Sequence, residues 1–182
     1  MKNIVLIGFM GTGKSTVGRL LARRLGRPFV DSDKKIEMWH GMTIKEMFAQ
    51  HGEAYFRQCE QEAIARLARY RHAVIATGGG VVLLEENMFR LRQHGVIIAL
   101  TAELDMILAR TSRKDVRPLL NKGEREKTVR ELLNGRIERY QQADCVVDTT
   151  KLSPPQVVEK IMDFLQQGGY LRGRYNSAPR RP

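Results

Sequence analysis

The chain has 182 residues, 42% of them hydrophobic, which suits one domain with a sizeable buried core and excludes wholesale disorder. Its net charge of +11 leaves two partner classes open, a nucleic acid or polyanionic small substrates beside a basic tail. No apolar run approaches the roughly 18 residues of a membrane span, and two cysteines with four scattered histidines form neither a disulfide scaffold nor a metal-ligand cluster.

Ile4 to Gly8 is a continuous apolar run, as expected for a strand buried on both faces of a parallel sheet. It is not read as a secretory signal, because Gly8 to Ser15 stands where a cleavage site would be needed. Val17, Leu20, Leu21 and Leu25 recur at helical spacing over Lys14 to Leu25, with Gly26 at the helix end and Pro28 blocking its continuation. Phe29 to Asp31 is a short second strand. Thr43 with Glu46 predicts a capping box opening a short helix, and a longer helix is expected from about Glu53 to Tyr70.

Ala73 to Ala76 reads as a third strand ending in Thr77-Gly78-Gly79-Gly80. A helix over Glu85 to Gln93 and a fourth strand over Val96 to Leu100 follow. Thr101 is expected to cap the helix Glu103 to Thr111. Residues 112–124 are polar, carry both signs of charge and hold Arg117-Pro118, so they read as a mobile lid. Arg125 to Gln142 is helical, Cys145 to Asp148 is a fifth strand, and Ser153-Pro154 opens the last helix. Strands alternating with helices imply an α/β fold with a parallel sheet covered on both faces. One domain is expected over residues 1–167. The basic tail, 168–182, holds Arg172, Arg174, Arg180 and Arg181 and is expected to be disordered.

The chemistry begins at Gly8-Phe9-Met10-Gly11-Thr12-Gly13-Lys14-Ser15, which matches G-x-x-x-x-G-K-[ST] between a predicted strand and a predicted helix. Glycines with positive φ let successive N–H groups face phosphate oxygens, and the helix N-terminus adds partial positive charge. Lys14 brings a full charge to the β/γ-phosphates and Ser15 a hydroxyl for Mg²⁺. Nucleotide binding follows. Three further features bear on what receives the phosphoryl group. Asp31 and Asp33 follow the second strand, where ligands sit in open α/β sheets. Asp31 suits a Mg²⁺-bound water and Asp33 an acceptor hydroxyl, although an Asp here also suits a helix N-cap. The glycines after Thr77 permit close ligand approach or simply a turn. Arg57, Arg117 and Arg136 are forked donors for carboxylate or phosphate, but their spacing alone does not separate them from solvated surface arginines.

Taken together, Gly11 to Thr16, Asp31-Ser-Asp33, Gly52-Glu-Ala-Tyr-Phe-Arg57, Thr77 to Gly80, Arg117-Pro-Leu-Leu120 and Arg136-x-x-x-Tyr140 closely resemble the shikimate kinases. The resemblance spans about Asn3 to Gln167. It implies a three-layer α/β/α fold with a five-stranded parallel sheet, of the phosphate-loop nucleoside-monophosphate-kinase type, with a mobile lid. It implies transfer of the γ-phosphoryl of ATP to the 3-hydroxyl of shikimate, in aromatic amino acid biosynthesis.

By the same resemblance Gly11, Thr12, Gly13, Lys14, Ser15 and Thr16 hold ATP, Arg110 stacks on adenine, and Ser15 and Asp31 serve the Mg²⁺. Asp33, Arg57, Gly79, Gly80 and Arg136 bind shikimate. Lys14, Asp33 and Arg117 are the catalytic set, and Lys151 to Pro155 is similar to an adenine-contacting loop. A cytoplasmic monomer with no nucleic-acid or membrane partner is expected. The basic tail departs from the compact family pattern.

Overall fold

A computed structural model of the chain describes residues 2–112 and 125–171. The expected lid with Arg117, and the arginine-bearing part of the tail, lie outside the described residues. Within them, five parallel strands form one sheet in the order β2-β3-β1-β4-β5. The strands are β1 (Asn3–Gly8), β2 (Phe29–Asp31), β3 (Val74–Ala76), β4 (Gly95–Thr101) and β5 (Cys145–Asp148). Helices α1 (Lys14–Leu25), α2 (Ser32–His40), α3 (Ile44–Leu67), α4 (Glu85–His94), α5 (Leu104–Ser112), α6 (Arg125–Gln141) and α7 (Pro154–Gln167) connect and cover them.

The continuous apolar runs are explained by burial on both faces. Side chains alternate across a strand, so Val5 and Ile7 of β1 point into one core with Ile97, Ala99, Leu91 and Tyr140. Ile4 and Leu6 point into the other, against Val17 and Leu21 of α1 and Val157, Ile161 and Leu165 of α7. A smaller cluster of Ile36, Met47, Phe56, Cys59 and Ala63 joins α2 to α3. Near the end of the described residues Tyr170 packs on Phe164, with ring centroids 5.7 Å apart, and Leu171 packs against the second core.

Local signals place several boundaries. Gly26 ends α1 in the left-handed conformation (φ 62), Thr43 and Glu46 form the expected capping box, and Ser153 with Gln156 forms another before Pro154. Three expectations change. The two helices expected between the second and third strands are the halves of α3, broken at Gly52 (φ 80, ψ 178), and α3 stops at Leu67. Helix α2 stands before them, opened by Asp31. Thr101 does not cap α5: it is the last residue of β4, and the Glu103 amide donates instead to Thr150 Oγ1 at 2.9 Å.

Candidate functional site

The phosphate loop runs from the end of β1 to the first turn of α1. Gly11 (φ 79) and Gly13 (φ 93) occupy backbone space that L-residues rarely adopt, and this turns the loop toward the first amides of α1. The Thr12 hydroxyl (2.8 Å) and amide (3.5 Å) both donate to Phe9 O, so Thr12 braces the loop. Lys14 is buried and folds back over the loop, donating from Nζ to Gly8 O (2.7 Å) and Phe9 O (2.8 Å). Thr16 is exposed on α1.

Asp31 is a helix N-cap and at the same time a partner of the phosphate loop. Its Oδ1 accepts from the Lys34 amide at 3.4 Å, capping α2, while its Oδ2 accepts from Ser15 Oγ at 2.7 Å. The cap fixes the carboxylate's direction, and the hydroxyl joins it to the phosphate loop. Among the described residues no group of three His, Cys, Asp or Glu could hold a metal. The donor set here is instead one hydroxyl and one carboxylate. Mg²⁺ commonly takes one or two protein oxygens and completes its shell with water and phosphate, so these residues fit it.

Arg110 does not stand free beside the loop. It donates to Gly11 O (3.3 Å), Thr149 Oγ1 (3.0 Å) and Thr149 O (2.8 Å). Thr149 Oγ1 lies 3.2 Å from Thr12 O and 2.9 Å from Thr101 O. Arg110 therefore ties the phosphate loop to the segment that leads into 151–155.

Asp33, Arg57, Gly79, Gly80 and Arg136 all line one cleft, together with Met10 of the phosphate loop. They arrive from α2, α3, the turn after β3, and α6. Arg136 is 5% exposed, donates to Gly79 O at 3.4 Å and lies over the Phe9 ring, 5.5 Å from its centroid. Tyr140, one turn later on the same helical face, donates to Gly79 O at 2.7 Å. At Gly80 the missing side chain is what lets Arg57 approach. A Cβ on Gly80 would lie 2.7 Å from Arg57 Cζ, whereas one on Gly79 would make only ordinary contact with Gly8 O and Met10 N at 3.5 Å.

Sequence reasoning missed Glu53 and Glu60. Arg57 donates from Nε (3.1 Å) and Nη2 (2.9 Å) to Glu53 Oε1, and from Nη1 to Glu60 Oε2 at 2.8 Å. Glu53 is exposed, whereas Glu60 is 1% exposed. Burial pushes the Glu60 carboxyl above its ordinary range against the pull of Arg57; Asp33 adds to the push and Arg136 opposes it. The signal was present, since residues three and four apart on a helix are neighbours. Choosing Arg57 should have drawn attention to positions 53 and 60. The cleft's apolar wall of Ile44, Phe48 and Phe56 was also missed, because helical apolar residues look like core.

The sequence also matches a family model described as shikimate kinase over residues 10–166. A shikimate kinase of Thermodesulfovibrio yellowstonii is 49% identical over 162 residues, covering 89% of this chain and 94% of that protein. One from Pelotomaculum thermopropionicum is 46% identical over 171 residues, covering 94% and 99%. A structure of shikimate kinase from Acinetobacter baumannii in complex with shikimate superposes with a TM-score of 0.89 at 37% identity, covering 92% of this chain and 94% of that one. A phosphate loop opening directly onto a cleft with two arginines and an aspartate, on a sequence matched at this depth and length, leaves one classification: the chain belongs to the shikimate kinase family.

Proposed function

We propose that this chain transfers the γ-phosphoryl group of ATP to the 3-hydroxyl of shikimate, giving shikimate 3-phosphate and ADP for aromatic amino acid biosynthesis. The observation that carries the reading is the convergence of Asp33, Arg57 and Arg136 on a cleft that shares Met10 with the phosphate loop. Family membership and the shikimate complex of the A. baumannii relative support it.

In this reading the amides of Gly11 to Thr16 cradle the triphosphate, and Lys14 leaves its carbonyl partners to meet the β/γ-oxygens. Ser15 and Asp31 would hold Mg²⁺, which when bound supplies positive charge to the bridging phosphate oxygens. Arg57 and Arg136 grip the acceptor carboxylate from two helices and so fix the ring's orientation. Asp33 accepts the hydrogen bond of the attacking hydroxyl and takes its proton as the bond to phosphorus forms. Holding the two reactants in line converts a bimolecular encounter into an effectively unimolecular step, which is where most of the acceleration arises. Arg110 contributes to the adenine side together with residues 151–155. Arg117 closes over the phosphates from the lid and adds charge as the β–γ bridge breaks.

The reading includes a cytoplasmic location. ATP as co-substrate and the free thiols Cys59 and Cys145 suit a reducing, ATP-containing compartment. Among the described residues no helix is long and apolar enough to cross a membrane.

The test is ADP release from ATP and Mg²⁺ with a panel of acceptors. Shikimate should support turnover and gluconate should not. Activity with gluconate and none with shikimate would reject the acceptor. In the same assay Arg117→Ala should lose most of kcat with ATP affinity largely kept, and an unchanged kcat would remove Arg117 from the chemistry.

A further inference from the structure

One buried carboxylate of the cleft has no task in the transfer chemistry. Glu60 gives Oε2 to Arg57, while its Oε1 has no hydrogen-bond partner among the described residues. That oxygen is aimed past Gly78: a Cβ placed on Gly78 would stand 2.9 Å from Glu60 Oε1 and 2.6 Å from Asp33 Oδ1. Two carboxylate oxygens, one from α3 and one from α2, thus meet at the same glycine on the floor of the acceptor cleft.

The charged groups that face Glu60 are Arg57 on α3, Asp33 on α2 and Arg136 on α6, with Glu53 behind Arg57 on the exposed side. Inside the cleft two guanidiniums balance two carboxylates. On the acceptor reading above, a third carboxylate then docks between Arg57 and Arg136. It draws on the guanidinium charge that had compensated Glu60 and leaves the interior with an uncompensated negative charge, which is costly away from water. A proton from solvent restores the balance. Glu60 Oε1 is the atom placed to hold it. As an anion's oxygen it lacks a donor, and the neighbouring Asp33 carboxylate adds to the cost of its charge. Burial already favours the protonated form of Glu60. Asp33 has to stay ionised to receive the acceptor hydroxyl.

We propose that docking of the acceptor carboxylate is coupled to uptake of one solvent proton by Glu60, held on Oε1 at the Gly78 side of the cleft that Asp33 Oδ1 also lines. The proton comes from the buffer, no covalent bond to carbon or phosphorus changes, and the cleft stays neutral with its acceptor bound. Glu60 is in this sense a charge-balancing residue whose protonation sets the pH dependence of acceptor affinity.

The experiment is calorimetric titration of shikimate into the whole protein near neutral pH, in phosphate and in Tris, whose ionisation enthalpies differ. The dependence of the observed heat on buffer ionisation enthalpy counts protons taken up, and a positive slope approaching about one proton per site is expected. The wild-type Kd should also rise with pH, toward about tenfold per pH unit between the Glu60 pKa of the free protein and that of the complex, and level off above the latter. In Glu60→Gln, which mimics the protonated form, the slope should vanish and Kd should become flat with pH. Clear binding heat with no buffer dependence in the wild type overturns the proton linkage and leaves shikimate binding standing. Retention of the slope in Glu60→Gln overturns the assignment to Glu60. No binding heat in any buffer overturns the functional reading, and this inference with it. If Glu60→Gln does not fold by circular dichroism, the wild-type buffer series and pH series decide.

Discussion

Arg57 shows how tightly single residues in this cleft depend on one another. Its guanidinium is held at one edge by exposed Glu53, at the other by buried Glu60, and lies close against Gly80. A methyl at position 80 would occupy the guanidinium's place. The atoms it meets are the far end of a flexible side chain, so the fold can yield by letting Arg57 swing away. Gly80→Ala should therefore lower thermal stability, because buried Glu60 loses its cation, while leaving the chain folded, and raise KM for shikimate by about 10- to 100-fold, the loss expected for hydrogen bonds to a charged group. Steady-state kinetics with ATP saturating would check this, and an unaltered KM would contradict the Arg57 grip.

Glu60 gives a second prediction at this scale. Its folded-state pKa is raised above the ordinary 4.5, chiefly by burial. Between the unfolded and folded values the native state binds more protons than the unfolded chain. The stability this group contributes is thus complete below the unfolded pKa and lost as pH rises through the folded one. Glutamine does not titrate. Melting temperatures of Glu60→Gln and wild type, measured from about pH 5 to pH 8, should diverge in the variant's favour as pH rises. Parallel curves would show that Glu60 titrates normally.

Elements whose ends carry chemical signals are legible in the local sequence. Helix α1 and strands β2 and β5 fall where the sequence puts them, because Gly26, Pro28 and the flanking polar residues state the limits locally. Helix α7 is marked by Ser153, Pro154 and Gln156, and its Ser153 and Gln156 side chains close a capping box. Ser153→Ala should cost about 1 kcal/mol of stability, read as a lowered urea midpoint with an unchanged slope. An unchanged midpoint would mean that Pro154 and packing alone fix the helix start.

The region between β2 and β3 is less legible. Gly52 can be either a helix end or a sharp bend between two helical segments, and only packing chooses. Helix α2 is hidden in the sequence because Asp31-Ser-Asp33 points so strongly to chemistry that its equally good role as a helix start stays open. The structure makes Asp31 the helix cap and joins its other oxygen to Ser15.

At the scale of the whole molecule, strand order assembles the site. β1, β3 and β2 are neighbours. The phosphate loop, the triple glycine and the Asp31–Asp33 pair follow those three strands, so they stand side by side at the carboxyl edge of the sheet, where open α/β folds bind ligands. α6 then brings Arg136 across from the far side. All five acceptor residues come from a single chain. On the proposed function a monomer of 20.8 kDa is expected in sedimentation equilibrium, with or without substrates. A dimer whose dissociation abolished acceptor binding would contradict this.

Local chemistry was enough to specify the phosphate loop, the parallel α/β class and most element limits, since these rest on glycine conformations, caps and apolar runs that act within a few residues. The sequence also nominated Asp33, Arg57 and Arg136, although nothing in their spacing said that they meet. That meeting came from the folded arrangement, together with the burial of Glu60 and the anchoring of Arg110 to Thr149. These depend on strand order and on contacts between residues far apart in the chain. Periodicity and capping carry no information about which distant helix will supply the other half of a charge pair.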